Sequence, residues 1–408
     1  MKHHQLPEWQ HNLHVLWLNN FIIGMGFQLI MPFMALYIRQ LGNFTRFQLN
    51  MWSGLVFAAT FLVSSWMAPI WGKIADQRGR KAVMLISAAG MGTTMTLMGT
   101  VGNVEELVLL RLLQGFFAGY VANTSALLAS MVPREQSGKT MSTLATGTTA
   151  GMLVGPLFGG ALADLFGYRA TFFITGMAYA LVFIRTIFSV HESNFQPVSR
   201  EKMVNTRQLF GQLKYPHLVI GMFVTTLIIQ AGNNSISPVI SLYVQQLLHG
   251  HGSVNLASGI VAALPGIATI FTAPILGEVG DRIGTHKVLF GGLIFAFCVF
   301  LPQAFVHNVW EFGILRFLVG ISDAALLPQV QTLLTKYSPA HFSGRIFSFN
   351  QAAQFMGNIF GPMIGATISG TFGYAGVFVS TALLILVNLG WVRRSTRPLW
   401  HTETPAAK

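Results

Sequence analysis

Gly72-Lys73-Ile74-Ala75-Asp76-Gln77-Arg78-Gly79-Arg80-Lys81 packs four cations and one carboxylate into ten residues, with long apolar runs on either side. It returns, degenerate, 205 positions later as Gly277-Glu278-Val279-Gly280-Asp281-Arg282-Ile283-Gly284-Thr285-His286-Lys287. A charged turn between two apolar runs, written twice in one chain, points to a duplicated set of membrane helices.

The composition agrees. Of 408 residues, 52% are hydrophobic and only 9% charged, against about 25% charged in a typical soluble domain. So few charges cannot cover the surface of a soluble protein of this length, and the bilayer must be its main solvent. Cys298 is the single cysteine and lies in an apolar run, which excludes a disulfide framework and a cysteine metal site. The net charge of +12 does not imply a nucleic-acid partner, because the cations sit at the ends of apolar runs rather than in one basic patch with aromatics.

Apolar stretches of membrane-crossing length number twelve. The first six cover roughly 13–38, 50–71, 82–101, 106–131, 140–163 and 170–190. Six more cover roughly 218–246, 256–276, 287–306, 311–336, 344–369 and 373–392. The first stretch is too long for a signal peptide and is interrupted by Asn19, Asn20, Gln28 and Pro32, so it reads as a retained span. The one long hydrophilic segment lies between the sixth and seventh spans. Three parts follow: an N-terminal six-helix bundle (1–190), a cytoplasmic linker (191–216), and a C-terminal six-helix bundle with its tail (217–408).

Charge placement orients the chain. With both termini cytoplasmic, the inner side holds Lys73, Arg78, Arg80, Lys81, Arg134, Lys139, Arg282, Lys287, Lys336, Arg345, Arg393, Arg394 and Arg397 among others, whereas the outer side holds only Arg39, Arg46 and Arg169. Such a bias follows the positive-inside rule and implies a multi-pass protein of the cell (inner, cytoplasmic) membrane.

The repeat extends well beyond one turn. At an offset of 205, Pro69 matches Pro274, Asp76 matches Asp281, Arg111 matches Arg316 and Gly115 matches Gly320. At 206, Pro32 matches Pro238, Tyr37 matches Tyr243, Pro133 matches Pro339, Gly155-Pro156 matches Gly361-Pro362, and Gly167-Tyr168 matches Gly373-Tyr374. An even number of spans per half makes the halves parallel copies about an axis along the membrane normal. The expected fold is all-α: twelve transmembrane helices in two pseudo-symmetric six-helix bundles.

Four features carry chemistry. The fourth span contains Arg111, which either faces the protein interior with a partner or snorkels to the outer interface. The fifth span sets Gly147, Gly151, Gly155 and Gly159 four residues apart beside Pro156, a bare strip that admits a neighbouring backbone. Asp323 is the one carboxylate expected deep inside a span, near the midplane; its repeat partner is Ala118, so the acid is not part of the shared scaffold. Arg316, seven residues earlier, lies on the same helical face but about 10 Å away along the axis, too far for a compact ion pair without bending or water. Asp323 is therefore a proton carrier, a contact for a substrate cation, or a static partner for an arginine. Finally, Gln28 and Met31 in the first span, Gln230, Asn233 and Asn234 in the seventh, and Gln354 and Asn358 in the eleventh either line a cavity or join helices. No metal-ligand spacing or nucleotide-binding loop occurs, and no cofactor is expected.

The pattern G-x-x-x-D-x-R-G-R-K at Gly72–Lys81 resembles the loop between spans two and three of the major facilitator superfamily, and the resemblance runs over the whole chain. It implies the major facilitator fold and a gating loop of Gly72, Asp76, Arg78, Gly79, Arg80 and Lys81. In such a loop Asp76 meets the start of span eleven near Arg345, and Asp281 meets the start of span five near Lys139. Arg111 to Gly115 is similar to that family's R-x-x-x-G pattern. The segment from Gly151 to Gly160 resembles the motif of its antiporters. Leu49–Gly54, Phe223–Gln230 and Gly313–Gly320, running on to Asp323 and Pro328, narrow the resemblance to bacterial drug–proton antiporters with twelve spans. The implied activity is export of varied amphipathic small molecules in exchange for protons, by two halves rocking about a central site, with Asp323, Arg316 and Arg111 as proton-coupling candidates. Protons, small-molecule substrates and the lipid bilayer are the implied partners, and function as a monomer is expected. A sugar or metabolite exporter or symporter on the same fold is the alternative; an enzyme is not expected.

Overall fold

A backbone inside a bilayer has no water to satisfy its N–H and C=O groups, so helices close their own hydrogen bonds or the chain does not cross. The computed structural model describes residues 7–193, 213, 215–338 and 343–400, and every element among them is helical. Residues 194–212 and 214 of the expected linker, Pro339 of the repeat and the tail from 401 lie outside the described residues. The helices are α1 (Glu8–Leu29), α2 (Met34–Gln40), α3 (Arg46–Arg78), α4 (Arg80–Met98), α5 (Val104–Phe116), α6 (Tyr120–Met131) and α7 (Arg134–Ser189). They continue with α8 (Pro216–Ser235), α9 (Ile240–Leu248), α10 (Val254–Ile283), α11 (Thr285–Phe300), α12 (Val309–Ala324), α13 (Leu327–Tyr337) and α14 (Ser343–Ser395).

Ten continuous stretches among the described residues are long and apolar enough to cross a membrane. Two of them, Lys139–Ser189 and Ile346–Ser395, run to 51 and 50 residues, about 75 Å if straight and more than twice a bilayer core. Each breaks at a glycine with positive φ: Gly167 (φ 79°, ψ 168°) in α7 and Gly373 (φ 81°, ψ 176°) in α14. Only a residue without a Cβ adopts that backbone at little cost, so each long stretch is two helices and the described residues make twelve crossings. The two glycines are repeat partners. The charged turn is equally duplicated, with Gly79 at φ 93° and Gly284 at φ 109° opening α4 and α11.

Packing repeats as faithfully as backbone. The chain divides into two compact units, one of Met1–Asn43, Ala59–Arg200 and Asn255–Ile260, the other of Phe44–Ala58, Glu201–Val254 and Val261–Lys408. In the first, α1 packs chiefly on α7; in the second, α8 packs chiefly on α14. The reason is the glycine strip. A Cβ at Gly155 would lie 2.6 Å from the Met25 carbonyl oxygen, and one at Gly361 would lie 2.5 Å from that of Ala231. Gly151 and Gly159 face the Phe21 and Leu29 carbonyls in the same way, as Gly357 and Gly365 face those of Leu227 and Ser235. Bare backbone meets bare backbone over about three turns in both units.

Polar side chains that brace the spans recur too. Tyr37 donates to the Met98 carbonyl at 2.8 Å and Tyr243 to that of Gln303 at 2.9 Å. Ser64 reaches the Gly115 carbonyl at 3.2 Å and Thr269 that of Gly320 at 2.8 Å. Asn103 and Asn308 cap α5 and α12 by accepting from Glu106 and Glu311 backbone N–H groups, the usual service of an asparagine at a helix start.

Candidate functional site

Arg111, on α5, is fully buried, so the snorkelling alternative is ruled out. Its guanidinium donates to Gln114 Oε1 at 2.9 Å, and Nη2 lies 3.9 Å from Met31 Sδ. Met31 belongs to a short turn of 3-10 helix, Met31–Phe33, that separates α1 from α2 at Pro32. Gln28 is half-buried one turn earlier. Contacts of this kind have to offset the desolvation of a buried cation.

The second copy differs where it matters. Arg316, on α12, is half-buried, and its Nε is sealed from solvent with no hydrogen-bond partner among the described residues. The position matching Gln114 is Val319, which cannot accept, and the one matching Ala118 is Asp323. Asp323 accepts from Asn233 Nδ2 of α8 at 2.9 Å and is half-buried. Beside it Asn234 donates to Asn358 Oδ1 of α14 at 3.0 Å and to the Gln230 carbonyl at 3.0 Å. Gln230 and Gln354 are half-buried as well. Repeat partners of Asn233 and Asn358 are Phe27 and Met152. A scaffold shared by both halves has thus been made polar in one of them.

Local breaks place these groups. α12 ends at Ala324, one residue past Asp323, and α13 begins at Leu327 with Pro328 in its first turn. α8 ends at Ser235, two residues past Asn233, and Pro238 separates it from α9. Proline lacks the N–H that would continue each helix, and tight turns close the breaks instead: Leu326 N–H donates to the Asp323 carbonyl and Ser237 N–H to the Asn234 carbonyl. Interrupted spans are tolerated where they line a site rather than lipid.

The gating-loop residues divide. Gly79 makes the turn. Gly72 does not: it is helical within α3, and a Cβ there would meet nothing within 4 Å among the described residues. Gly72 thus lies inside the helix rather than at the turn, because α3 runs on to Arg78. Asp76 lies 3.8 Å from Arg80, one turn along the same stretch, and Asp281 accepts from Lys336 of α13 at 3.1 Å. Arg345 lies in α14, and its side chain is outside the described residues. Lys81 Nζ donates to the Ile187 carbonyl at 2.8 Å. Arg78 is exposed at the end of α3.

Sequence reasoning missed Glu192. Its carboxylate accepts from the backbone N–H groups of Arg80 and Lys81, both at 2.9 Å, and so caps α4 in place of a side chain from the turn itself. An anion at a helix N-terminus is favoured by the unpaired N–H groups and the helix dipole. Its only signal in the sequence is a lone acid just after the sixth span. Asn19 and Asn350, by contrast, are buried in helix-to-helix hydrogen bonds, to Tyr120 and from Thr226. Among the described residues no group of three His, Cys, Asp or Glu is placed to hold a metal ion.

A model of the Major Facilitator Superfamily matches residues 16–258 and 222–407. The multidrug resistance protein MdtG of Escherichia fergusonii is 46% identical over 389 residues, covering 95% of each chain. That of Citrobacter koseri is 46% identical over 400 residues, covering 98% of each. Among solved structures, a bacterial homologue of the human lysosomal transporter Spinster, inward-facing and occupied, superimposes with a TM-score of 0.83 at 14% identity, over 99% of this chain and all of that one. At that identity the likeness bears on the fold.

Proposed function

The chain belongs to the Major Facilitator Superfamily, a family of transporters rather than enzymes, and from that premise we propose that it exports drugs or other small amphipathic compounds in exchange for protons, by alternating access, from the inner membrane with both termini cytoplasmic. Near-full-length similarity to multidrug resistance proteins supports the substrate class. The observation that carries the coupling is the Asn233–Asp323 hydrogen bond at two helix breaks. A neutral amide holds the carboxylate in either protonation state, since Asn233 donates to it and a protonated acid can turn its O–H elsewhere. Proton binding there drives a change of state only if the two states hold the proton with different affinity.

Arg111 with Gln114 then serves as a fixed counterpart, and the loop residues Asp76 and Asp281 latch the inner side. Asn234, Asn358, Gln230, Gln354, Gln28 and Met31 supply a mixed polar and polarisable lining. The clustered amides give a sugar or other hydroxylated metabolite as a second reading.

Both are tested by reconstituting the chain in proteoliposomes with ethidium or single sugars and an imposed pH gradient. Ethidium movement that needs the gradient and falls at least about tenfold in Asp323→Asn, one or more units of log rate, is the expected result. Undiminished gradient-driven transport by Asp323→Asn defeats the coupling role; sugar movement without dye movement favours the second reading.

A further inference from the structure

We propose that the end of the last membrane helix carries a binding site for the headgroup of an anionic phospholipid, formed by Arg393, Arg394 and Arg397 with Trp400 and Phe290. The chain does not leave α14 freely. After Ser395 it turns into a short 3-10 segment, Arg397–Trp400, that folds back with Leu399 buried. Trp400 is pinned there: its Nε1 donates to Thr396 Oγ1 at 3.1 Å, and its ring packs edge-on to His286 and Phe290 of α11 at 5.1 and 5.6 Å. Between α11 and the end of α14 this leaves a cavity of about 820 Å³ lined by Phe290, Gly390, Arg393, Arg394, Arg397 and Trp400.

Three guanidinium groups line that cavity, with no carboxylate among its walls in the described residues. No ion pair with any of them exists among the described residues. Elsewhere in the second unit the exposed cations Arg282 and Lys336 do have acids, Glu278 and Asp281. A fork of guanidinium N–H groups matches phosphate oxygens well. Gly390 adds no bulk to the floor, where a Cβ would meet nothing within 4 Å among the described residues.

The apolar wall selects a lipid over free phosphate. One turn deeper, Val387 on α14 and Ile294 on α11 are 66% and 43% exposed, on spans whose surroundings are acyl chains. Cations at the rim and exposed aliphatic surface beneath them reproduce the two ends of a phospholipid. Phe290 and Trp400 lie between, at the depth where aromatic residues favour the interface. Basic pockets between membrane helices at the cytoplasmic surface take anionic headgroups for this reason.

Native mass spectrometry of the full chain in mild detergent tests the site, with phosphatidylglycerol, phosphatidylcholine or inorganic phosphate added separately. Phosphatidylglycerol adducts should exceed phosphatidylcholine adducts. Each Arg→Gln change at 393, 394 or 397 should weaken phosphatidylglycerol binding by about fivefold, as expected for about 1 kcal/mol per cation near an anionic lipid, while Arg→Lys changes keep most of it. A second readout does not depend on the arginines: brominated phosphatidylglycerol should quench more fluorescence in the wild type than in Trp400→Phe. Equal binding of both lipids, indifference to the Arg→Gln changes, or equal quenching in the two proteins overturns the proposal. Displacement of the lipid by millimolar inorganic phosphate overturns it as well, by making the site one for the free anion.

Discussion

Gly155→Ala is the sharpest test of how α1 and α7 are held together. The added Cβ would lie 2.6 Å from the Met25 carbonyl oxygen, 3.0 Å from Gln28 Cβ and 3.2 Å from the Leu29 nitrogen. Two of those three atoms are helix backbone and cannot rotate away. Restoring ordinary contact requires the helices to separate locally by about 0.8 Å, which also opens the neighbouring contacts of Gly151 and Gly159. Overpacking of that kind costs about 1–3 kcal/mol, partly offset by the gain of up to about 1 kcal/mol when a helical glycine becomes alanine. Gly277→Ala isolates the offset, because Gly277 is helical and its Cβ would meet nothing within 4 Å among the described residues. Thermal unfolding of both variants in the same detergent should therefore show Gly277→Ala at or above the wild type and Gly155→Ala below it. At about 2–4 °C per kcal/mol, the two should be separated by roughly 2–12 °C. Coincident melting curves would refute the close approach of the two backbones.

Gly373→Ala places a Cβ on a backbone at φ 81°, and the strain, about 1–2 kcal/mol, should lower the melting temperature although the only atom the Cβ would crowd among the described residues is the movable Arg46 Nη2. Glu192→Gln removes the charge that caps α4 and should raise hydrogen exchange at Arg80 and Lys81 by about three- to thirtyfold, matching a loss of about 0.7–2 kcal/mol, with the span interiors unchanged. Arg111→Met leaves Gln114 without its buried donor, worth about 1–3 kcal/mol; a melting temperature equal to that of the wild type would show that the pair contributes nothing.

Much of the site was legible one residue at a time. Asp323 stood out because an acid in an apolar stretch is costly wherever it packs, and Arg111 for the same reason. Their partners were not legible. Asn233 is 90 residues from Asp323 along the chain, one amide among several of similar pattern. Gln114 sits one turn from Arg111, where side chains can meet, yet an amide beside a cation carries no distinctive signal in sequence. Glu192 was hidden because a cap supplied 112 residues away obeys no local rule.

Hydropathy, the 205–206 offset and the glycine spacing together determined the twelve crossings, the duplication and the strip along which spans pack. They suffice because the bilayer acts on each segment separately: length, apolarity and backbone satisfaction are properties of a short stretch. Tertiary structure alone decided that Asp323 meets Asn233, that Arg111 is sealed while Arg316 keeps a nitrogen with no hydrogen-bond partner among the described residues, and that Trp400 folds back to close a cationic groove. Those facts depend on pairs of side chains from distant segments, and their energies exist only once close-packed helices have brought both members of each pair to the same depth.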